Sequence, residues 1–132
     1  EVSRTLAWMG AEVILHPTLT PTSDRAAELI LTQAHAIFNQ CYVIDINGLG
    51  PWGGGRSLFV DPNGRVLQQA GEHDMIMTEL IDLDQVQKTR EFGTLGLCQT
   101  WKQLREFHGQ FPIYNSDVSA GPIYHNLGKL RR

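Results

Sequence analysis

The stretch His35–Gly55, HAIFNQCYVIDINGLGPWGGG, sets the terms on which this chain is read. It passes from helical periodicity into a nearly continuous apolar run, CYVIDIN, and then into a glycine string. An apolar run of that length between turn residues predicts a strand buried on both faces. Two features of the stretch invite a function. Cys41 stands beside Tyr42 at the start of the run, and Gly48, Gly50 and Gly53 spell a literal G-x-G-x-x-G.

Neither feature carries its usual chemistry. A dinucleotide fingerprint needs its last glycine to open a helix whose N-terminus holds the pyrophosphate. Here Gly53 leads into GGRSLFVDPNG, a hairpin signal, and Pro51 and Trp52 interrupt the string. The string reads as a flexible connection whose glycines allow close approach of backbone to a ligand. Cys41 lies in apolar sequence at a helix-to-strand junction, where cysteines behave as small inert hydrophobes. Cys98, in GLGLCQTW, has no better claim to nucleophilic work.

Working outward, EVSRTLAWMG reads as the last turns of a helix, with Leu6 and Met9 on one face and Gly10 as its stop. Glu12–Leu15 follows as a short buried strand ended by Pro17. Thr22 or Ser23 caps a helix over Asp24–Asn39, whose apolar stripe is Ala26, Leu29, Ile30, Gln33, Ala34 and Ile37. RSLFV and RVLQQ flank Asp61-Pro62-Asn63-Gly64, the clearest turn signal in the chain. DMIMTELID reads as a further strand. Asp82 and Gln85 form a capping-box pattern for a helix through Arg90, and Gln99–Phe107 reads as a short helix before an extended tail. The sum is a mixed α/β layer of four or five strands and about three helices.

Composition bounds the partners. The 132 residues suffice for one domain, and 42% apolar against 19% charged residues is a globular balance. A net charge of −3 argues against nucleic acid, and the KLRR cluster at Lys129–Arg132 reads as a solvated end. No apolar run approaches a membrane span and no signal peptide opens the chain. Two widely spaced cysteines fit neither a zinc pattern nor a disulfide framework, so the expected setting is reducing and cytoplasmic. The histidines, His16, His35, His73, His108 and His125, show no ligand spacing, and neither metal nor cofactor is expected. Asp45, mid-strand, must meet an arginine or face a cavity, and structural pairing is the expectation.

Three segments together resemble the carbon–nitrogen hydrolase (nitrilase/amidase) superfamily, specifically the C-terminal half of its domain. EVSRTLAWMGAEVILHP is similar to the family stretch P-E-x-x-R-x-L-x-x-x-G-A-E-V-I-x-x-P at Glu1, Arg4, Leu6, Gly10–Ile14 and Pro17. AHAIFNQCYVIDIN resembles R-A-x-E-N-x-x-Y-V at Ala36, Asn39, Tyr42 and Val43, with Asn47 further on. GGGRSLFVDPNGRVL resembles G-x-S-x-x-x-D-P-x-G-x-V-L at Gly55, Ser57, Asp61, Pro62, Gly64, Val66 and Leu67. The chain departs from the pattern at His35, where arginine is usual, and at Phe38, where glutamate is usual.

The resemblance implies half of a four-layer α-β-β-α sandwich over residues 1–92, with residues 93–132 as an extension at an oligomer interface. It implies hydrolysis of a non-peptide amide, nitrile or carbamoyl C–N bond by a Cys-Glu-Lys triad lying upstream of Glu1, so no catalytic residue is expected in this chain. Loops after strands line the family's pocket, which makes His16, Pro17, Thr18, Asn47 and Trp52 the substrate-pocket candidates. The partners implied are a small-molecule amide or nitrile and further copies of the chain, with no nucleic acid and no membrane. Half a sandwich leaves a sheet face of roughly 1,000 Å² without its cover, an apolar burial of about 25 kcal/mol before entropy. Either a preceding segment covers that face, or the chain is an inactive half-domain that self-associates through it in a binding or structural role.

Overall fold

Gly10, at φ +104°, ends the first helix, α1 (Val2–Trp8), through hydrogen bonds from Gly10 N to Ala7 O and from Ala11 N to Leu6 O. This is the left-handed termination that glycine permits. The structure, a computed structural model, describes residues 1–114 and 121–131, the side chain of Asn126 apart. From Gly10 the chain enters β1 (Val13–Thr18), then α2 (Asp24–Asn39), β2 (Tyr42–Asn47), a 3-10 turn (Gly50–Trp52), β3 (Leu58–Val60) and β4 (Val66–Gln69). Two further helices follow, α3 (Leu83–Phe92) and α4 (Thr100–Glu106).

The four strands form one sheet in sequence order. β1 runs parallel to β2, with His16 opposite Asp45 and Thr18 opposite Asn47; β2–β3 and β3–β4 are antiparallel. The DPNG signal makes the β3–β4 turn: Gly64 takes φ +82°, and Asp61 Oδ1 accepts from the backbone N–H groups of Asn63 and Arg65, each at 2.9 Å. Pro17 does not end β1 but lies inside it. That is tolerated because β1 is the sheet edge, where a missing N–H need leave no ladder bond unmade.

α2 has the bounds its periodicity predicts, but its buried face differs from the apolar stripe. Arg25, Leu29, Thr32, Ala36 and Asn39 face inward, while Ile30 and Ile37 are exposed. Polar residues displaced the stripe because the sheet offers them partners, Asp45 above all. Leu29, Ala36, Cys41, Val43, Leu58 and Val60 form the apolar core between α2 and the sheet. Neither Thr22 nor Ser23 caps as a conventional N-cap: Ser23 makes no side-chain cap bond, and Thr22 Oγ1 accepts weakly from Asp24 N at 3.4 Å.

β2 is buried along the whole of one face but only at the start of the other. On the face away from α2, cover falls from Tyr42, fully buried, through Ile44, half-buried, to Ile46, 48% exposed; on neighbouring β1, Leu15 is 65% exposed. DMIMTELID forms no strand among the described residues. Its backbone finds no ladder partner beyond β4, and Ile76 and Leu80 stand in solvent.

α3 is capped by Asp82, whose carboxylate accepts from Asp84 N at 3.0 Å. Gln85 leaves the expected capping box to bond the Tyr42 hydroxyl (2.8 Å) and Asp61 Oδ2. Arg90 donates to Gln40 O and Ala11 O, tying α3 to the start of the strands. The segment after α3 is also attached. Gln40, in a left-handed conformation at the end of α2, donates to Cys98 O at 2.8 Å, and Trp101 Nε1 donates to Asn39 O at 3.2 Å. Residues 115–120 and Arg132 of the expected tail lie outside the described residues.

Candidate functional site

The carboxyl ends of β1 and β2 gather the polar side chains of the helix–sheet layer. Residues alternate across a strand, so His16 and Thr18 on β1 share a face with Asp45 and Asn47 on β2. α2 lays Arg25, Glu28 and Thr32 over them at helical spacing. The hub is Arg25, 3% exposed. Its Nη1 sits 2.7 Å from both Glu28 Oε2 and Asp45 Oδ2, while Nε and Nη2 donate to Gly55 O (3.2 Å) and Arg56 O (2.8 Å). One guanidinium thereby closes a buried ion pair and holds the glycine string in place. Arg56 keeps φ +62° there, a left-handed conformation unusual for a side chain with a Cβ.

Asn47 supplies the second clamp. Its Oδ1 accepts from Thr20 N at 2.8 Å, and its Nδ2 donates to Thr20 O (3.1 Å) and Gly55 O (2.9 Å). The loops leaving β1 and β2 are therefore bolted to each other through one buried amide. Gly53 belongs to the same arrangement, since a Cβ there would collide with the backbone carbonyl of Gly48.

Charge in this layer is balanced by hydrogen bonds. Burial raises the Glu28 carboxyl pKa, but bonds from Arg25, Thr18 and Thr20 outweigh that and hold it below the usual carboxylate range. The His35 imidazole is held below its ordinary value, first by burial, then by the positive charges of the N-terminus and His16. Burial pushes the Cys41 thiol up to about 11, against weaker opposing pulls from Arg90 and Arg4. A thiol so placed, with no exposed surface, is protonated at neutral pH.

Of the five pocket candidates, the structure brings three together. His16, Thr18 and Asn47 lie on one face within the same network, with Thr18 Oγ1 donating to Glu28 Oε1 at 2.9 Å. Pro17 points to the opposite face by strand alternation, and Trp52, 74% exposed, stands in the 3-10 turn. His16, Pro17 and Thr18 are strand residues rather than loop residues. Asp45 does meet an arginine. Arg25, Glu28 and Thr32 escaped the sequence reading, although they recur in phase with Leu29 and Ala36. A charged residue at helical spacing from a core position was the signal.

Two cavities flank this network. One of about 260 Å³ opens beyond β2 among Ile46, Asn47, Gly55, Ser57, Phe59 and Met77. The other, of about 420 Å³, lies between α1, α2 and β1, where His16, Glu28, Thr32 and His35 meet its wall. Among the described residues, His16, Glu28 and Asp45 bring metal-ligating atoms close together, within 4.8 Å of one another.

Comparison with known proteins locates this architecture. The chain is 32% identical over 95 residues to a "Hydrolase in agr operon" from Staphylococcus lugdunensis, a match covering 69% of the chain and 41% of that protein. It is 35% identical over 97 residues to an (R)-stereoselective amidase from a Pseudomonas species, covering 68% of the chain and 35% of the relative. Among solved structures, the Caenorhabditis elegans NitFhit protein superposes with a TM-score of 0.64 at 34% identity, over 71% of this chain and 24% of that one. The chain thus spans about two fifths or less of the length of the curated relatives it matches. The model of the carbon–nitrogen hydrolase family matches residues 1–91, from α1 through the β-hairpin to α3, and the chain belongs to that family.

Proposed function

We propose that these residues form the C-terminal part of a carbon–nitrogen hydrolase that cleaves a non-peptide amide, nitrile or carbamoyl C–N bond, with the nucleophilic cysteine, glutamate base and lysine contributed by a segment preceding Glu1. The observation that carries this reading is the bare sheet face. Leu15 and Ile46 are exposed beside the half-buried Phe59, an apolar surface that the described residues leave largely open. The amidase relative and the coverage of well under half of each relative support a partner layer on that face.

In this reading the chain supplies positioning rather than reacting groups. The cavity beyond β2 lies at the carboxyl end of a strand, the usual place for a ligand in an α/β sheet. Arg25 and Asn47 hold the loops around it, so that a substrate would meet backbone and amide groups already in place. Neither Cys41 nor Cys98 takes part: the first is a buried protonated thiol, and the second lies far along the chain beyond α3.

Ammonia release from small amides and nitriles tests the reading. A polypeptide in which residues 1–132 follow the nucleophile-bearing segment turns substrate over, and residues 1–132 alone do not. Turnover by this chain that disappears in Cys41→Ala would overturn it. The bare face also fits a self-associating half-domain, which predicts a dimer by sedimentation and no hydrolysis under any of these conditions.

A further inference from the structure

The geometry points to a divalent-cation site formed by His16, Glu28 and Asp45, one residue from each of β1, α2 and β2. The inference begins with an unsatisfied atom. Asp45 has no exposed surface, yet its Oδ1 has no hydrogen-bond partner among the described residues. Both donors that reach this carboxylate, Arg25 Nη1 at 2.7 Å and Thr32 Oγ1 at 3.1 Å, go to Oδ2. A carboxylate oxygen stripped of water and left without a donor is costly, and such an atom calls for a ligand.

What Oδ1 faces is His16 Nδ1, at 3.5 Å. That separation is long for a charge-assisted hydrogen bond. It matches two atoms bound to a common ion: ligands about 2.0–2.1 Å from a tetrahedral zinc lie about 3.3–3.4 Å apart. A Glu28 carboxylate oxygen lies within 4.8 Å of both atoms, close enough to join them by a small movement of its side chain, although its two oxygens also accept from Thr18 Oγ1 and Arg25 Nη1. Arg25 does not occupy the position. It holds Asp45 Oδ2 and Glu28 Oε2, and so orients both carboxylates with Asp45 Oδ1 turned toward the imidazole.

Charge and access agree. Two carboxylates and one guanidinium leave one uncompensated negative charge, which a divalent cation offsets. The ion reaches the site through the 420 Å³ cavity on which His16 and Glu28 open, His16 being half exposed at its side chain. One imidazole with two carboxylates suits zinc and its borderline neighbours. Calcium prefers six to eight oxygens, and copper(I) prefers sulfur. An ion held there joins β1, α2 and β2 as a structural bond and takes no part in hydrolysis, so the proposal stands apart from the functional reading above.

Chelator-treated protein titrated with Co2+ in place of zinc provides the test. The expected result is one equivalent bound, with visible absorption bands of four- or five-coordinate cobalt, displaced by Zn2+. His16→Ala and Asp45→Asn weaken binding by at least about tenfold. His35→Ala, on the wall of the same cavity but outside the set, leaves binding unchanged. His16→Ala carries the test if Asp45→Asn fails to fold, because the His16 side chain is half in solvent, and circular dichroism verifies each variant. Absence of stoichiometric cobalt absorption, or equal binding by His16→Ala, would overturn the site and leave His16 as a neighbour of Asp45 alone.

Discussion

Arg25 and Asp45 meet at 2.7 Å with both side chains out of water, and the same guanidinium reaches past the carboxylate to the carbonyls of Gly55 and Arg56. Breaking one partner leaves the other charge buried and unpaired. Arg25→Met is expected to cost about 3–5 kcal/mol in urea unfolding. The double variant Arg25→Met, Asp45→Leu should recover part of that loss, since two apolar side chains then share the site. Equal destabilisation by the single and double variants would show that the loop clamp, not the ion pair, carries the energy.

The two cysteines should separate cleanly toward a thiol reagent. Cys98 is exposed, whereas Cys41 is fully buried with its thiol pushed up to about 11. One equivalent reacts quickly in native protein at neutral pH, and Cys98→Ser removes it. The second equivalent appears only when denaturant is added. Fast labelling of Cys41 would mean that the α2–β2 junction opens readily.

Stability should decline as the solution is acidified below neutrality, and His35 contributes to that decline. Its folded pKa lies below the ordinary 6.5, chiefly through burial, so the unfolded chain takes up the proton first. The stabilisation is therefore present above about 6.5 and fades as pH falls toward the lowered folded value. His35→Gln should flatten the stability–pH curve in that window. An unchanged slope in the variant would remove His35 from the account.

Gly53→Ala probes the loop. The added methyl would strike the Gly48 carbonyl, a backbone atom that cannot step aside cheaply. A loss of about 1–3 kcal/mol is expected, of the size that strained backbone positions carry. Gly71→Ala is the control, because nothing lies within 4 Å of a Cβ at that position. Equal effects of the two would show the loop to be looser than drawn.

The bare sheet face makes its own prediction. Leu15→Asp and Ile46→Asp should change stability of the chain by no more than about 0.5 kcal/mol, as substitutions at exposed sites do. They should also lower binding of a hydrophobic dye. A loss above about 2 kcal/mol would mean that the face is already covered, for instance by a second copy.

Much was legible along the chain because it depends on neighbours in sequence. Helical spacing and the glycine stop marked the bounds of α1 and α2, Asp61-Pro62-Asn63-Gly64 announced the hairpin, and three motifs in family order named the superfamily. What only the tertiary structure decided was which groups meet. Arg25 took the inward face of α2 in place of Ile30 because β2 brings Asp45 beneath it, twenty residues away. The 74–82 segment stayed out of the sheet because its apolar residues met no strand to pair with. Periodicity and turn chemistry are properties of a few consecutive residues. The pairing of buried charges and the cover of a sheet depend on distant ones, since a charge settles where its partner is and a strand exists only beside another.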